Sequence, residues 1–340
     1  MAQNKYNVFH WHIVDDPSFP YESLLYPNLA KKGAYSDLHV YSQADIGRVL
    51  EYARHRGIRL VPEFDTPGHT ASWGKGQPGI LTQCYKNGEP TDDQFLLDPS
   101  KSSTWDFVLS FFTEVLRVFP DQYIHLGGDE VSYWAWCWLN NPNIQHFMKI
   151  WNFNGTTDLE QYYFKNLLPL IERARAGTGY MVWQEVLDRN ITLRPDTIAH
   201  VWKGSGDQKG IQEELAAVTA KGYRTLLSSC WYLNYISYGP DWKNYYSCDP
   251  QNFNGTIEQK NRVIGGETCM WGEMVDATNL IPRTWPRASA VAERLWSAVS
   301  VNSTVDAAPR IEELRCRLLA RGYQAEPPNG PSFCPIEWGG

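Results

Sequence analysis

Seven runs of apolar, β-branched and aromatic residues recur along the chain, and a helical stretch follows most of them. Strands that are buried on both faces read as such near-continuous apolar runs, so strand–helix alternation predicts a parallel sheet covered by helices. The runs are Tyr6–Asp15, Ile58–Asp65, Gln122–Glu130, Gly179–Glu185, Thr197–Trp202, Tyr223–Tyr232 and Arg262–Glu273. Amphipathic segments predict helices at Gln43–Arg56, Ser103–Phe119, Leu159–Arg175 and Ile211–Lys221, with Gly57 and Gly222 marking two helix ends.

The ends of these runs decide between two parallel folds. Each run carries charged or aromatic residues at its C-terminal end: Asp15-Asp16, Asp65, Asp129-Glu130, Glu185, Trp202, Tyr232 and Glu273. In a (β/α)8 barrel these ends open on one face, where catalysis takes place. A doubly wound sheet usually carries a glycine-rich phosphate loop, and neither GxGxxG nor GxxxxGK[ST] occurs here. We therefore predict an α/β, TIM-type barrel, with its first strand expected upstream of Met1.

Composition excludes several classes of protein. Hydrophobic residues make up 43 % of the 340 residues, which argues against wholesale disorder. The net charge of −7 and the lack of a basic stripe argue against nucleic acid as a partner. No apolar run reaches the roughly 18 residues that a membrane span needs. The 15 Trp and 19 Tyr residues hint at flat surfaces on which sugars or bases stack.

Cysteines and glycosylation sequons bear on the compartment. None of the seven cysteines forms a CxxC, which argues against zinc-ribbon and thioredoxin-like proteins. Asn-x-Ser/Thr sequons begin at Asn154, Asn190, Asn254 and Asn302. Together with six cysteines that can pair, they favour a lysosomal or secreted protein. The sequence shows no signal peptide, so we expect the presequence to be missing from this chain.

The Asp129-Glu130 pair is the first candidate for chemistry. It follows His125-Leu126-Gly127-Gly128 at the end of an apolar run, where the glycines permit the turn that lets neighbouring carboxylates cooperate. Two carboxylates held close together resist joint ionisation, so the pKa of one rises and that group can act as a general acid. The alternative is a pair of solvated loop acids.

Histidines offer a second set of candidates. His10 and His12 have metal-ligand spacing on one strand face, and His69, His125 and His200 could complete a metal site. Because the strand continues past the pair, we favour two core histidines hydrogen-bonded beneath the site. The Pro67-Gly68 turn is expected to present His69 where it could orient a catalytic carboxyl.

Tryptophans near strand ends suggest a binding pocket. Trp183, Trp202 and Trp271 each come within a residue or two of the C-terminal end of a different run. A single such tryptophan is usually part of the core. Three at one level would line a pocket for something small and apolar.

Five motifs together resemble glycoside hydrolase family 20, with the closest likeness to animal lysosomal β-N-acetylhexosaminidase subunits. They are His10–Asp16, Glu63–His69, His125–Glu130, Trp183-Gln184-Glu185 and Trp271-Gly272-Glu273, and the likeness runs in order from Tyr6 to Cys334. The resemblance implies a retaining exo-hydrolase of terminal β-linked N-acetylglucosamine or N-acetylgalactosamine. In this family the nucleophile is the 2-acetamido oxygen of the substrate.

The resemblance also implies residue roles. Glu130 would be the acid and base, and Asp129 would orient the acetamido group, whose carbonyl would accept a hydrogen bond from Tyr232. Asp15 and His69 would form a relay to Glu130. Substrate-binding residues would be Trp183, Trp202 and Trp271 around the acetamido methyl, with Glu273 on sugar hydroxyls and Asn234 in the loop that sets charge preference. No cofactor or metal is implied.

The same likeness implies domains, pairings and partners. Residues 1–322 would be the catalytic barrel, strands two to eight, and residues 323–340 a tail pinned by the disulfide Cys316–Cys334. Cys84–Cys137 would be a second disulfide, whereas Cys230–Cys248 is plausible on spacing alone and Cys269 is left as a buried thiol. The partner would be a terminal N-acetylhexosamine of a glycan or glycolipid, bound by a homo- or heterodimer.

This sequence departs from the family pattern in two ways. First, we expect this chain to lack the family's first-strand arginine and the accessory domain that precedes the barrel, because no residues here match them. Tyr235 stands where the subunit that accepts negatively charged sugars has an arginine, which favours neutral substrates.

Three rival interpretations remain. An inactive or truncated homologue would bind N-acetylhexosamine without cleaving it. A metal-dependent barrel hydrolase would use His10 and His12. A two-carboxylate β-glycosidase would use Glu185 as its nucleophile.

Overall fold

The structure, a computed structural model, describes residues 1–204, 207–331 and 333–334. Its strands are β1 (Val8–His12), β2 (Arg59–Glu63), β3 (Tyr85–Lys86), β4 (Glu89–Pro90), β5 (Tyr123–His125), β6 (Gly179–Trp183), β7 (Ile198–Val201), β8 (Arg224–Leu227) and β9 (Val263–Gly266). Each of the seven apolar runs contains one strand, so the predicted strands are confirmed. The strands are shorter than the runs, whose polar ends lie in the loops that follow.

A one-turn 3-10 helix, Ala2–Asn4, precedes the first strand. The α-helices are α1 (Asn28–Gly33), α2 (Gln43–Arg54), α3 (Ala71–Gly76), α4 (Ser102–Val118), α5 (Val131–Asn140), α6 (Pro142–Trp151), α7 (Thr156–Ala174), α8 (Glu185–Asp188), α9 (Gln208–Ala220), α10 (Trp242–Ser247), α11 (Ile257–Asn261), α12 (Leu280–Thr284), α13 (Arg287–Trp296) and α14 (Thr304–Ala320). The four predicted helices are confirmed as α2, α4, α7 and α9. Gly57 and Gly222 follow two of them with φ of +68° and +94°, a region that favours glycine.

The chain divides into two compact units. The first unit is Asn7–Ile198 together with Ala2, and the second is Ala199–Gly340 together with Met1 and Gln3–Tyr6. The division falls after the first residue of β7. The boundary that the sequence predicts between residues 322 and 323 stays a prediction.

In the first unit β1, β2, β5 and β6 pair in that order, and every pair is parallel. The register places His12 beside Glu63 and Glu63 beside His125. Partners in a parallel register share one face of the sheet, so three polar side chains are set side by side within an otherwise apolar sheet. The hairpin β3–β4 turns through Asn87 and Gly88, both with positive φ.

In the second unit β8 and β9 are parallel, with a register shift between Thr225 and Leu226. The Ser228 N–H donates to the Val201 carbonyl at 2.8 Å, which ties the end of β8 to β7. Beyond the strands, Tyr232 and Cys269 form an isolated parallel bridge. The sheet pattern thereby extends into two of the loops that carry candidate residues of this unit.

Tryptophan contributes much of the core. The side chains of five are almost completely inaccessible: Trp73, Trp138, Trp183, Trp231 and Trp242. In the first unit Trp73 packs against Phe19 and Phe111, with ring centroids 5.2 and 5.0 Å apart. The high aromatic content therefore reflects core packing as well as exposed surface. Within the described ranges, no helix combines the length and apolar character needed to cross a membrane.

Candidate active site

The turn after β5 positions the two adjacent carboxylates. Gly127 and Gly128 have φ of +69° and +97°. A Cβ on Gly127 would lie 1.6 Å from Asp65 Oδ1, and one on Gly128 would lie 2.4 Å from Val186 Cγ2. Neither position has room for a side chain, which is the physical reason for the glycine pair. The predicted turn is therefore confirmed, and it delivers Asp129 and Glu130 just before α5 begins.

His69 meets both carboxylates. Its Nε2 lies 3.5 Å from Asp129 Oδ2 and 3.6 Å from Glu130 Oε2. Its Nδ1 lies 3.0 Å from Asp15 Oδ1, a hydrogen-bond distance. Asp15 is itself fixed, because its carbonyl accepts from Ser72 Oγ at 2.6 Å. The structure thus brings four of the sequence-predicted residues, Asp15, His69, Asp129 and Glu130, into one cluster.

Electrostatics in this cluster raise the pKa of both the acid Glu130 and the imidazole of His69. Burial and the neighbouring charge of Asp129 raise the pKa of Glu130. Burial alone would lower the pKa of His69, but the hydrogen bond to Asp15 and the charge of Asp129 raise it to about 9. Burial also opposes the charge of Asp15, yet hydrogen bonds from His12 and His69 lower its pKa. A carboxyl whose pKa is raised keeps its proton at higher pH, so it can donate that proton as a general acid closer to neutrality.

Asp65 is a buried carboxyl behind the pair. Its Oδ1 accepts from the Gly128 N–H at 2.8 Å. Burial and the nearby charge of Asp129 raise the pKa of Asp65 well above its ordinary value. The sequence reasoning gave Asp65 no role, although the residue stands within a quoted motif and ends an apolar run.

The two early histidines surround a second buried acid. His10 Nε2 and His12 Nδ1 lie 2.7 and 3.2 Å from Glu63 Oε2. These contacts agree with the interpretation of core histidines beneath the site. Two groups of acids and imidazoles bring their oxygen and nitrogen atoms within 4.8 Å of one another: His10, Glu63 and His125, and Asp65, His69 and Asp129.

The second unit carries its candidates on the loops after β7, β8 and β9. Tyr232 is buried, and its ring stacks on Tyr235 with centroids 5.5 Å apart. Asn234 Nδ2 donates to Glu273 Oε2 at 3.5 Å, which joins two of the predicted substrate-binding residues. Trp202 directly follows β7, and Trp271 lies five residues beyond β9; both are half-buried.

Two arginines hold the loop that carries Tyr232 and Asn234. Arg283 donates to the carbonyls of Leu233 and Tyr235 at 3.2 and 2.8 Å. The fully buried Arg287 also donates to the Leu233 carbonyl, at 2.8 Å. A salt bridge of 2.6 Å between Arg287 Nη2 and Asp241 Oδ2 compensates the buried charge. The sequence reasoning missed both arginines because no local pattern links them to the loop.

Residues 1–299 match the model of the glycosyl hydrolase family 20 catalytic domain. The chain belongs to glycosyl hydrolase family 20. The predicted family and fold class, the α/β barrel catalytic domain of this family, are therefore confirmed.

Curated relatives support the assignment to family 20. The chain is 52 % identical to β-hexosaminidase subunit alpha of Bos taurus, over 99 % of this chain and 63 % of that protein. It is 53 % identical to β-hexosaminidase subunit beta of Homo sapiens, over 96 % of this chain and 58 % of that protein. The chain thus spans roughly three-fifths of the length of these relatives.

A solved structure agrees with the sequence relatives. A chitobiase of Flavobacterium johnsoniae superposes with a TM-score of 0.83 at 34 % identity, covering 94 % of this chain and 48 % of that one. The two structures are therefore alike over nearly the whole of this chain.

Disulfides and sequons fit an oxidising compartment. Cys84–Cys137, Cys230–Cys248 and Cys316–Cys334 are bonded, as expected, and Cys269 is a buried thiol. The four sequon asparagines are exposed: Asn154, Asn190, Asn254 and Asn302. Their side chains are therefore open to a glycosylating enzyme, and disulfides persist outside the reducing cytosol.

Proposed function

We propose that this chain is the catalytic part of a retaining exo-β-N-acetylhexosaminidase, which releases terminal β-linked N-acetylglucosamine or N-acetylgalactosamine from glycoconjugates. One observation carries the proposal. The Asp129–Glu130 pair of a family 20 chain contacts a histidine that a second aspartate anchors, which is the arrangement of a tuned acid beside a charge-stabilising carboxylate.

The chemistry follows from the two carboxyls. Glu130 gives its proton to the glycosidic oxygen as the bond to C1 breaks, and the acetamido carbonyl oxygen of the substrate forms the new bond to C1. The resulting oxazolinium ion is opened by water, whose proton returns to Glu130. Asp129 accepts a hydrogen bond from the acetamido N–H and stabilises the positive charge on the ring.

The remaining roles rest on the family resemblance and on side-chain chemistry. Tyr232 donates a hydrogen bond to the acetamido carbonyl, and Glu273 with Asn234 binds sugar hydroxyls. The indoles that pack around the acetamido methyl are Trp183, Trp202 and Trp271. The contacts from Asp15 to His69 and from His69 to Glu130 support a relay that sets the orientation of the acid.

Substrate charge, assembly and location complete the proposal. Tyr235 supplies no positive charge next to Asn234, which favours neutral sugars. The names of the relatives, which are subunits, support a homo- or heterodimer. Three disulfides and four exposed sequons support a lysosomal or secreted protein.

The deciding experiment compares an aryl β-N-acetylglucosaminide with the matching aryl β-glucoside. We expect cleavage of the acetamido sugar alone, because the glucoside lacks the nucleophile. Equal cleavage of both would point to a two-carboxylate glycosidase with Glu185 as the nucleophile. Binding of N-acetylglucosamine without cleavage would point to a lectin-like homologue, and loss of activity with a chelator would point to a metal-dependent hydrolase.

A further inference from the structure

Glu63 is a fully buried carboxylate for which the proposed reaction gives no role. Its Oε1 accepts from the Trp183 indole N–H at 2.8 Å and lies 3.2 Å from His125 Nδ1. Its Oε2 lies 2.7 Å from His10 Nε2 and 3.2 Å from His12 Nδ1. A buried charge is costly unless it is paired, so this carboxylate depends on the groups around it and also constrains them.

The contacts continue from Glu63 to the catalytic acid. His12 uses its other nitrogen, Nε2, to reach Asp15 Oδ2 at 3.0 Å. The second oxygen of Asp15 reaches His69, whose Nε2 lies 3.6 Å from Glu130 Oε2. Carboxylates and imidazoles therefore alternate along one path from Glu63 to Glu130. In such an alternation each charge stabilises the opposite charge of the next group.

We propose that Glu63 is a positioning residue for the acid–base step, acting through His12, Asp15 and His69 on Glu130 while its other oxygen anchors the indole of Trp183. This role rests on the proposed function, in which Glu130 is the acid and Trp183 contacts the acetamido group. Glu63 itself touches no reacting atom.

The charges that face His12 make the link measurable. Glu63 and Asp65 face it from β2 and the loop that follows, and Asp15 and His69 complete its surroundings, with His10 two residues away on its own strand. Burial alone would lower the pKa of His12, but the charges and hydrogen bonds of Glu63 and Asp15 raise it to about 10. A neutral amide in place of Glu63 removes the largest of these attractions.

The test is Glu63→Gln, which keeps the shape and removes the charge. The pKa of His12 is followed by NMR of histidine-labelled protein, and we expect it to fall by more than about one unit toward the ordinary imidazole value. Glu114→Gln is the matched control, because Glu114 is also buried and accepts bonds from Tyr21 and Leu25. The proposal would be overturned if the pKa of His12 did not change in Glu63→Gln, or if it fell equally in the Glu114→Gln control.

A second readout separates positioning from mere structure. We expect the pH profile of kcat/KM for an aryl β-N-acetylglucosaminide to gain an ionisation between pH 5 and 8 in Glu63→Gln. The reason is that His12, whose pKa is lowered in this variant, then titrates within that range. An unchanged profile in an active variant would also overturn the proposal. If the parent chain cleaves no acetamido sugar, the proposed function fails. The NMR titration still decides whether Glu63 raises the pKa of His12.

A third variant covers a Glu63→Gln protein that does not fold. In His12→Gln the link is cut from the other side, and Asp15 loses one of its two imidazole partners. We expect the pKa of His69 to rise above the parent value, because Asp15 then interacts with His69 alone. An unchanged pKa of His69 would show that His12 does not influence His69 through Asp15, and it would overturn the proposal.

Discussion

The first unit holds its candidate residues by side-chain charges, whereas the second unit holds them by backbone carbonyls. In the first, acids and imidazoles contact one another from Glu63 to Glu130, and burial opposes many of the charges. In the second, Arg283 and Arg287 hold the loop of Tyr232 and Asn234 through its carbonyl oxygens. The first arrangement can tune proton affinity and changes with pH. The second sets geometry alone.

The largest effect is expected at Glu130. Glu130→Gln removes the transferable proton, and we expect hydrolysis of a disaccharide with a poor leaving group to fall by about 10²–10⁴-fold. Steady-state kinetics measure the loss. Glu172→Gln is the control, because Glu172 is an exposed acid of the same unit that pairs with Arg194. Unchanged turnover in Glu130→Gln would exclude Glu130 as the acid.

Asp129→Ala tests the nucleophile. Without Asp129 the acetamido group loses its orientation and its charge stabilisation, so we expect about a 10²–10³-fold loss. The loss should persist for activated aryl glycosides, which need little acid assistance. A variant that cleaves such substrates at the parent rate would indicate a nucleophile supplied by the protein.

Tyr232→Phe tests the second unit's contribution to the chemistry. Removing one hydrogen bond to the developing charge is expected to lower kcat by about 10²-fold, with the shape of the pH profile unchanged. Tyr235→Phe is the matched control, since Tyr235 lies in the same loop and stacks on Tyr232. If both variants behave alike, the hydroxyl of Tyr232 has no special role.

Arg283→Ala is expected to have a smaller effect, on binding. The loop loses hydrogen bonds to the carbonyls of Leu233 and Tyr235, so we expect KM to rise by about three- to tenfold with the pH profile unaltered. Arg262→Ala is the control, because Arg262 also donates to a carbonyl, that of Thr219, elsewhere in the unit. A shifted pH profile would contradict the proposed contrast between the two units.

The last prediction concerns stability against pH rather than catalysis. His12 and His69 have pKa values raised to about 10 and about 9, so the folded protein holds protons that the unfolded chain releases above the ordinary value of 6.5. The free energy of unfolding should therefore fall as pH rises from about 7 to 9, by at most about 1.4 kcal/mol per pH unit for each such proton. Urea denaturation at several pH values measures this slope, which should be shallower in His69→Gln. A flat profile would show that the imidazoles do not depend on their acidic partners.

Sequence patterns predicted the strands well and some connections poorly. All seven apolar runs contain a strand. A strand that is buried on both faces consists of consecutive apolar residues, and such a run can be recognised in the sequence alone. The hairpin β3–β4 was missed, although Asn87-Gly88 is a typical two-residue turn signal. Helix α5 was also missed, because its many aromatic residues blur the amphipathic pattern.

Tryptophans show where local reasoning reaches its limit. Their number suggested stacking surfaces, yet Trp73, Trp138 and Trp242 are buried in the core. Trp183 was singled out by its place at a strand end, but its hydrogen bond to Glu63 joins residues 120 positions apart. A strand position alone does not say which partner an indole will meet.

The sequence by itself determined seven strands, four of the helices and the glycine turn that delivers Asp129 and Glu130, because these depend on neighbours in the chain and on backbone sterics. The tertiary structure decided that Glu63 lies among His10, His12, His125 and Trp183, and that Arg283 and Arg287 hold a loop some 50 residues away. These contacts join residues from separate elements, and their energies depend on burial, which no local pattern records.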